Sequence, residues 1–259
     1  MDLIDTHAHL YLPQFDTDRT EVVRRAFDAG VRKIFLPNID TDTLEPMFAL
    51  CREFPETVFP MVGLHPSSVT DNYREALNAL ESLIVEKHAI AIGETGIDLY
   101  WDQSRKEKQI QAFLTQVEWS LKYRLPIVIH ARESFDEIFD VLNSFKNQPL
   151  KGVFHSFTGN STQLQHALSL GFHIGIGGIV TFKNASLKDV VAQIPPDRLL
   201  LETDAPYLSP EPRRGKRNES AYLMHTCAFL APLFGKSPEE LAAITTENAL
   251  KLFHHATRA

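Results

Sequence analysis

The sequence predicts a single (β/α)8 barrel, the TIM-barrel fold, with additional C-terminal helices and one domain over residues 1–259. Strand-like and helix-like segments alternate along the whole chain. The strand-like segments are near-continuous apolar runs, which is typical of parallel strands buried on both faces. Eight such β-α units within 259 residues match the size of a closed barrel. A doubly wound open sheet is the alternative.

Each predicted strand is a short apolar segment flanked by turn residues or polar residues. In chain order the strands cover 3–10, 31–37, 58–62, 89–93, 127–129, 152–154, 173–179 and 199–202. No composition break or low-complexity segment separates them, so the strands belong to one domain.

Each predicted helix carries apolar residues at helical spacing. The helices cover 18–29, 43–54, 73–87, 104–123, 134–145, 161–170, 187–194, 221–234 and 238–253. The segment 104–123 is the clearest, because its apolar residues fall on one stripe. Ser104 with Glu107, and Ser134 with Glu137, have the spacing of a capping box at the start of a helix.

Composition and charge indicate a soluble globular protein. The chain is 44% hydrophobic and 23% charged. It has no apolar run that could span a bilayer and no evident secretory signal, so we expect a cytoplasmic protein. Cys51 and Cys227 provide no disulfide framework. The formal charge of −7 argues against broad electrostatic wrapping of nucleic acid, but not against an enzyme that handles a few phosphates locally.

The first strand ends in two histidines that are spaced to act together. His7 and His9 are separated by one residue, and alternate residues of a strand point to the same face. Two imidazoles that converge at the mouth of a barrel form half of a metal site. An isolated pair of this kind is more often part of an ordinary loop, so the prediction depends on the rest of the chain.

The same placement recurs at the ends of other strands. Potential metal ligands follow strands three, four, five, six and eight: His65, Glu94, His130, His155 and Asp204. In a barrel these ends share one face, where active sites are built. Even without His65, four histidines and two carboxylates are too many for one four-coordinate ion, and they suit two ions that share Glu94 as a bridge. Five other histidines do not follow a strand end and are expected to be surface or packing residues: His88, His166, His173, His254 and His255.

Seven sequence blocks in this order resemble the TatD family of metal-dependent deoxyribonucleases, among the amidohydrolase-like barrels. They are Ile-Asp-Thr-His-Ala-His at 4–9, Gly-Leu-His-Pro at 63–66, Ile-Gly-Glu-Thr-Gly-Ile-Asp at 92–98, His-Ala-Arg-Glu at 130–133, His-Ser-Phe-Thr-Gly at 155–159, Leu-Glu-Thr-Asp-Ala-Pro-Tyr-Leu at 201–208 and Arg-Gly-Lys-Arg-Asn-Glu at 214–219. The chain has Ser220 where the family often has proline, and it departs near Ala8, Glu133 and Ser156. None of these differences removes an expected ligand.

The resemblance implies a barrel that hydrolyses phosphodiester bonds with divalent metal ions. It implies that one ion is held by His7, His9 and Asp204 together with Glu94. The second ion is held by His130 and His155, again with Glu94. It also implies that His65 contacts the substrate phosphate or the attacking water rather than an ion.

The expected catalytic residues are Asp204, His65 and Glu94. Asp204 would accept a proton from water, and His65 would stabilise charge on the phosphate or protonate the leaving oxygen. Glu94 would bridge the two ions. Asp98 and Glu202 are expected to orient ligating imidazoles.

Substrate contacts are expected from Arg132 and from Arg214 and Lys216 in the basic segment 213–217, because guanidinium and ammonium groups bind phosphate. The alternative for this segment is a solvated basic loop. Four aromatic residues in the same loops could stack on bases or pack the loops: Tyr100, Trp101, Phe157 and Tyr207.

The leading interpretation is therefore a deoxyribonuclease acting on single strands or ends of DNA with two divalent ions, magnesium, manganese or zinc. No membrane contact and no obligate protein partner are expected. One alternative is a metal-dependent hydrolase of a small phosphoester, amide or lactone at the same site, because one barrel hosts many chemistries. The other is a barrel with a structural metal site, which the absence of cysteine ligands and the surplus of histidines disfavour.

Overall fold

The computed structural model describes residues 1–183 and 187–254, and in this part of the chain it has eight strands and nine α-helices. The strands are β1 Leu3–Asp5, β2 Val31–Pro37, β3 Val58–Met61, β4 Ile92–Asp98, β5 Ile127–Arg132, β6 Gly152–Phe154, β7 His173–Ile176 and β8 Leu199–Leu201. The helices are α1 Arg19–Asp28, α2 Leu44–Glu53, α3 Tyr73–Glu86, α4 Lys106–Tyr123, α5 Phe135–Asn143, α6 Ser161–Ser169, α7 Leu187–Val191, α8 Leu223–Leu230 and α9 Pro238–Leu252.

The strands form a closed parallel barrel. Hydrogen-bonded pairing runs from β1 to β3 and from β4 to β8. Two isolated bridges join these sheets, one between Val62 and Ile92 and the other between Ala8 and Ala205. The backbone N–H of Thr6 also donates to the carbonyl of Leu201 at 3.2 Å. The predicted (β/α)8 barrel is therefore confirmed, and the open sheet is excluded.

Alternate residues of the strands fill two separate cores. In β2, Ile34 and Leu36 belong to the larger core, which includes the buried faces of the helices. Phe35 lies between them in sequence and belongs to a second cluster, formed by residues of β1, β2, β3, β5, β6 and β8. The end of α9 closes this cluster, where Phe253 lies 4.9 Å from Phe35 between ring centroids. This packed interior excludes water from the inside of the barrel below the C-terminal ends of the strands.

Several predicted element boundaries were wrong. The first strand ends at Asp5 rather than at residue 10, the fourth runs over Ile92–Asp98 rather than 89–93, and the seventh ends at Ile176, before a 3-10 turn at Gly178–Thr181. The predicted helix over 221–234 is a short α8 between 3-10 turns at Ser220–Tyr222 and Ala231–Phe234. Pro232 interrupts it, because proline has no N–H to donate.

Both predicted capping boxes were wrong, because the serines have other partners. Ser104 hydrogen-bonds Asp102, and α4 begins only at Lys106. Ser134 donates its hydroxyl proton to the carbonyl of Ile97. Capping boxes instead begin α6 and α9, at Asn160 with Gln163 and at Ser237 with Glu240.

The remaining sequence expectations concern membranes, cysteines and histidines. Within residues 1–183 and 187–254, no helix is long and apolar enough to cross a membrane. Cys51 and Cys227 are free thiols. His166 is a packing residue that stacks on Phe139 with ring centroids 4.1 Å apart, whereas His255 lies outside the described residues.

Candidate metal centre

The C-terminal ends of the strands surround an open cavity of about 680 Å³. Six of the seven strand-end residues line it: His9, His65, Glu94, His130, His155 and Asp204. The seventh, His7, is fully buried beneath them and stacks on His155 with ring centroids 3.7 Å apart. Although β1 and β3 are shorter than predicted, the barrel still brings all seven side chains together.

The carboxylate of Glu94 lies at the centre of this group. Its Oε1 atom lies 2.9 Å from His130 Nδ1, 3.0 Å from His155 Nε2 and 3.3 Å from His65 Nε2. Its Oε2 atom lies 3.1 Å from Nε2 of His7 and 3.5 Å from Nε2 of His9. Burial alone would raise the pKa of Glu94, but the surrounding imidazoles lower it well below its usual range. A buried carboxylate therefore remains ionised, which requires positive charge beside it.

Asp204 adds a second carboxylate on the His7 and His9 side. Its Oδ1 atom lies 3.5 Å from His9 Nε2 and 3.8 Å from His7 Nε2. Burial would raise the pKa of Asp204, but the hydrogen bond with His9 and the nearby histidines lower it. Burial disfavours the charged form of His9, yet Asp204 and Glu94 outweigh it and raise the pKa of His9 to about 9.

The donor atoms suit a divalent cation. Three groupings have ligand atoms within 4.8 Å of one another, and they share members: His7 with His9 and Glu94, His7 with His155 and Asp204, and His65 with Glu94 and His130. The Nε2 atoms of His7 and His9 face each other at 3.2 Å. Imidazole nitrogens and carboxylate oxygens that converge at an open cavity are typical of a catalytic metal site rather than of a closed structural site.

Tyr11 fixes which nitrogen of His9 faces the cavity. The Tyr11 hydroxyl donates its proton to the carbonyl of Pro37 at 2.6 Å, and it lies 2.9 Å from His9 Nδ1. Because the hydroxyl proton is already used, His9 Nδ1 must donate to the hydroxyl oxygen. When the ring is neutral, the form that can bind a metal ion, its lone pair therefore lies on Nε2, the atom that faces Glu94 and Asp204.

Two further carboxylates orient the histidines of the other side. Asp98 lies 3.0 Å from His130 Nε2 and Glu202 lies 3.2 Å from His155 Nδ1, so each carboxylate accepts a ring proton. In the neutral form of each ring, which is the form that can bind a metal ion, the opposite nitrogen then carries a lone pair that faces Glu94. Gly175 makes room for this arrangement, because a Cβ there would clash with the Glu202 carboxylate.

In His65 the ring proton lies on the nitrogen that faces Glu94, unlike in the neutral forms of the three histidines just described. Its Nδ1 atom accepts a hydrogen bond from the backbone N–H of Ser67 at 3.0 Å. Burial lowers the pKa of His65 against the opposing effect of Glu94, so the ring is neutral and its proton is on Nε2. That nitrogen lies close enough to Glu94 and His130 to join a donor grouping. In this neutral form it is nevertheless a hydrogen-bond donor, because a protonated nitrogen has no lone pair for a metal ion.

The expected substrate contacts lie at different distances from the centre. Arg132 lines the cavity. Arg214 and Lys216 are exposed, and neither lines the cavity in the described part of the chain. Arg214 instead lies over the ring of Phe182 at 4.2 Å.

Of the four aromatic residues, one is buried and three are exposed. Phe157 is buried and contacts Phe135, with ring centroids 5.4 Å apart, which makes it a packing residue. Trp101 and Tyr207 line the cavity, and Tyr100 is adjacent in sequence to Trp101. These three are 73%, 46% and 50% exposed, respectively.

The sequence provided no role for Tyr11 or Asp5. Tyr11 lies beyond the end of β1, where strand alternation no longer predicts direction. Asp5 accepts hydrogen bonds from the backbone N–H of Thr203 at 2.9 Å and from its hydroxyl at 2.6 Å. Burial raises the pKa of Asp5 to about 6. By binding Thr203, Asp5 holds the segment that carries Asp204. The signal available in the sequence was the position of Asp5 two residues before His7.

The chain is similar to known metal-dependent hydrolases. The family model described as TatD related DNase matches residues 4–254. A metal-dependent hydrolase of Bacillus subtilis, YabD, is 38% identical, with 97% of this chain and 98% of the relative covered. The 3'-5' ssDNA/RNA exonuclease TatD of Erwinia billingiae is 34% identical, with 97% and 98% covered. The crystal structure of the TatD homologue YjjV from Escherichia coli superposes with a TM-score of 0.91 at 30% identity, over 97% of this chain and 98% of that one.

Proposed function

The chain belongs to the TatD-related DNase family of metal-dependent hydrolases, and we propose that it cleaves phosphodiester bonds of DNA at single strands or ends. One observation carries this proposal. A buried, ionised carboxylate, Glu94, is surrounded by five imidazoles at the floor of an open cavity. The Erwinia relative, a 3'-5' ssDNA/RNA exonuclease by name, favours single-stranded nucleic acid as the substrate class.

We propose that two divalent ions occupy the centre and share Glu94. His7, His9 and Asp204 would hold one ion, and His130 and His155 the other. The partition of contacts supports this, because Glu94 Oε2 faces His7 and His9 while Oε1 faces His130 and His155. Imidazole ligands favour zinc or manganese over magnesium, which prefers oxygen. When bound, such ions polarise a phosphoryl oxygen and make water a stronger acid.

Side chains of the protein would then accept a proton from water and donate hydrogen bonds to the substrate. Asp204 is ionised at neutral pH and 16% exposed at its side chain, so it is proposed as the base that accepts the proton of the attacking water. His65 is neutral with its proton on Nε2, so it is proposed to donate a hydrogen bond to the phosphate or to the leaving oxygen. Arg132 would bind a phosphate at the cavity, with Arg214 and Lys216 contacting the strand further out.

The second candidate is hydrolysis of a small phosphoester, amide or lactone at the same centre. The positions of Arg214 and Lys216 favour it, because neither lines the cavity in the described residues and a small substrate would not need them. Arg132 at the cavity favours a phosphate-containing substrate over a neutral amide.

The direct experiment is cleavage of labelled single-stranded DNA by metal-stripped protein, with and without added magnesium, manganese or zinc. We expect metal-dependent cleavage that is lost in Glu94→Ala. Glu86→Ala is the matched control, because Glu86 lines a different cavity at the opposite end of the barrel. If no metal restores DNA cleavage but a chromogenic phosphodiester is hydrolysed, the small-substrate candidate replaces the nuclease.

A further inference from the structure

We propose that Tyr100, Trp101 and Arg132 form a subsite that stacks on one unpaired nucleobase of the substrate strand. This base subsite, as we call these three residues, lies beside the metal centre: Trp101 and Arg132 line the cavity that holds Glu94 and Asp204. The inference rests on the proposed function and adds to it the part of the substrate that is recognised, the base rather than only the phosphate.

The base subsite combines exposed aromatic rings with a cation. Trp101 is 73% exposed and Tyr100 is 50% exposed. Their ring centroids lie 4.8 Å apart at an interplanar angle of 87°. The guanidinium of Arg132 lies 3.9 Å from the Tyr100 centroid and 5.3 Å from the Trp101 centroid. Aromatic rings and guanidinium planes are the groups on which proteins stack single-stranded bases.

The backbone that carries the exposed rings is held by a carboxylate beside the metal centre. Asp98 Oδ1 accepts hydrogen bonds from the backbone N–H groups of Tyr100 at 3.0 Å and Trp101 at 3.3 Å. Its other oxygen, Oδ2, lies 3.0 Å from His130 Nε2. One carboxylate thus fixes both the loop that presents the rings and an imidazole that faces Glu94. A fixed platform loses little entropy when a base binds to it.

This arrangement differs from ordinary loop packing. Phe157, which follows His155 at the same end of the barrel, is 2% exposed and contacts Phe135. Trp101 exposes most of a large apolar surface at the mouth of a polar cavity, where a ligand would cover it. Because every base has a π-face, the base subsite would accept any base, in DNA or RNA. A base held inside a duplex stack could not reach it, so the substrate strand must be unpaired at this position.

The location of Trp101 allows a direct binding test on metal-free protein. The chain has two tryptophans, and Trp119 is 4% exposed. Acrylamide quenching of tryptophan fluorescence therefore reports mainly on Trp101. The probes are a short single-stranded oligothymidylate and a strand of equal length and charge whose sugars carry no bases. We expect the oligothymidylate to protect Trp101 from acrylamide and the abasic strand to leave it accessible.

Affinity is measured in parallel by anisotropy of the two labelled strands. Stacking on one residue contributes roughly tenfold to affinity by alanine substitution. We expect the native protein and Trp101→Phe to bind the base-containing strand about tenfold more tightly than the abasic strand. Trp101→Ala should bind the two equally. Leu233→Ala, which removes an exposed apolar side chain outside the cavity, should behave as the native protein.

The outcomes separate this inference from the proposed function. If the native protein cleaves DNA but binds both strands equally, or if Trp101→Ala keeps the preference, the base subsite is wrong and the nuclease stands. If neither strand is bound and no DNA is cleaved with any metal, the base subsite and the proposed nuclease are both wrong.

Discussion

Two open cavities of about 680 Å³ each lie at opposite ends of the barrel. The cavity at the C-terminal ends of the strands is lined by histidines and carboxylates around Glu94. The one at the N-terminal ends of β3 and β4 is lined mainly by apolar side chains such as Phe48, Val58 and Phe59. Volume therefore does not distinguish the functional cavity from the other one. The converging donor atoms around Glu94 distinguish it.

The difference follows from the direction of the strands. In a parallel barrel every strand delivers its last residues to the same end, so polar side chains from several strands can meet there. At the N-terminal end, α9 and the loops before the strands close the interior with apolar residues such as Phe253 and Ile90. Chemistry is expected at one end and only stability at the other. The predictions below test this division.

The largest effect is expected from Glu94→Gln, which keeps the size of the side chain and removes its charge. Glu94 contacts the imidazoles of both proposed ion sites, so metal-dependent hydrolysis should fall by about a thousandfold or more. Steady-state rates with saturating manganese measure this. Glu86→Gln in the opposite cavity is the matched control and should keep the native rate; a comparable loss there would abolish the distinction between the two ends.

The second prediction concerns the apolar cavity. Phe48 is 6% exposed and lines it, so Phe48→Ala should lower the free energy of unfolding by about 3 kcal/mol through lost burial and the void that remains. The catalytic rate at a temperature where the variant is folded should be unchanged. Denaturant unfolding and kinetics on the same preparation measure both quantities. A reduced rate without reduced stability would assign a functional role to this end.

The third prediction returns to the metal centre through Tyr11→Phe. Loss of the hydroxyl removes the acceptor for His9 Nδ1–H, so the ring is no longer fixed with its lone pair on Nε2. We expect metal affinity to weaken about 10- to 100-fold, with little change in fold. Competition with a metal-binding dye measures this affinity. Tyr123→Phe loses a surface hydrogen bond to Glu81 and should bind metal as the native protein does.

The smallest effect is expected at the rim of the functional end, where Asp18 pairs with Arg217 at 2.7 Å and Arg25 at 3.1 Å. The hydrogen bond from Arg217 lowers the pKa of Asp18 to about 2. A lowered folded-state pKa stabilises the protein above the unfolded value of about 4, and this contribution is lost as pH falls towards about 2. Solvent screening limits it to about 1 kcal/mol or less.

Urea unfolding of native protein and Asp18→Asn measures this pH dependence. The stability difference should be present near neutral pH and should shrink in acid, between about pH 4 and pH 2. A constant difference over that range would mean that the ionised carboxylate of Asp18 does not contribute.

The strand-end pattern predicted the composition of the centre better than the boundaries of the elements. The common direction of the parallel strands brings His7, His65, His130 and Asp204 to one end of the barrel, whatever the length of each strand. Glu94 was predicted to follow a strand that ends at residue 93. In the structure β4 continues to Asp98, and Glu94 lies within it.

Local patterns failed where tertiary contacts compete with them. Ser134 has the spacing of a capping box, but its hydroxyl binds the carbonyl of Ile97 on a neighbouring strand. Tyr11 could not be assigned from sequence, because its hydroxyl contacts Pro37 and His9 through a turn that no periodicity describes. Arg214 and Lys216 follow the last strand, as predicted. Only the structure shows that neither is among the described residues that line the cavity.

The central claim is that Glu94 joins two ions at the functional end of the barrel. The most direct measurement is titration of metal-stripped protein with manganese, followed by calorimetry and by electron paramagnetic resonance. The account predicts two ions per chain with the magnetic coupling of a carboxylate-bridged pair, and loss of that coupling in Glu94→Gln. A single bound ion, or two uncoupled ions in the native protein, would contradict it.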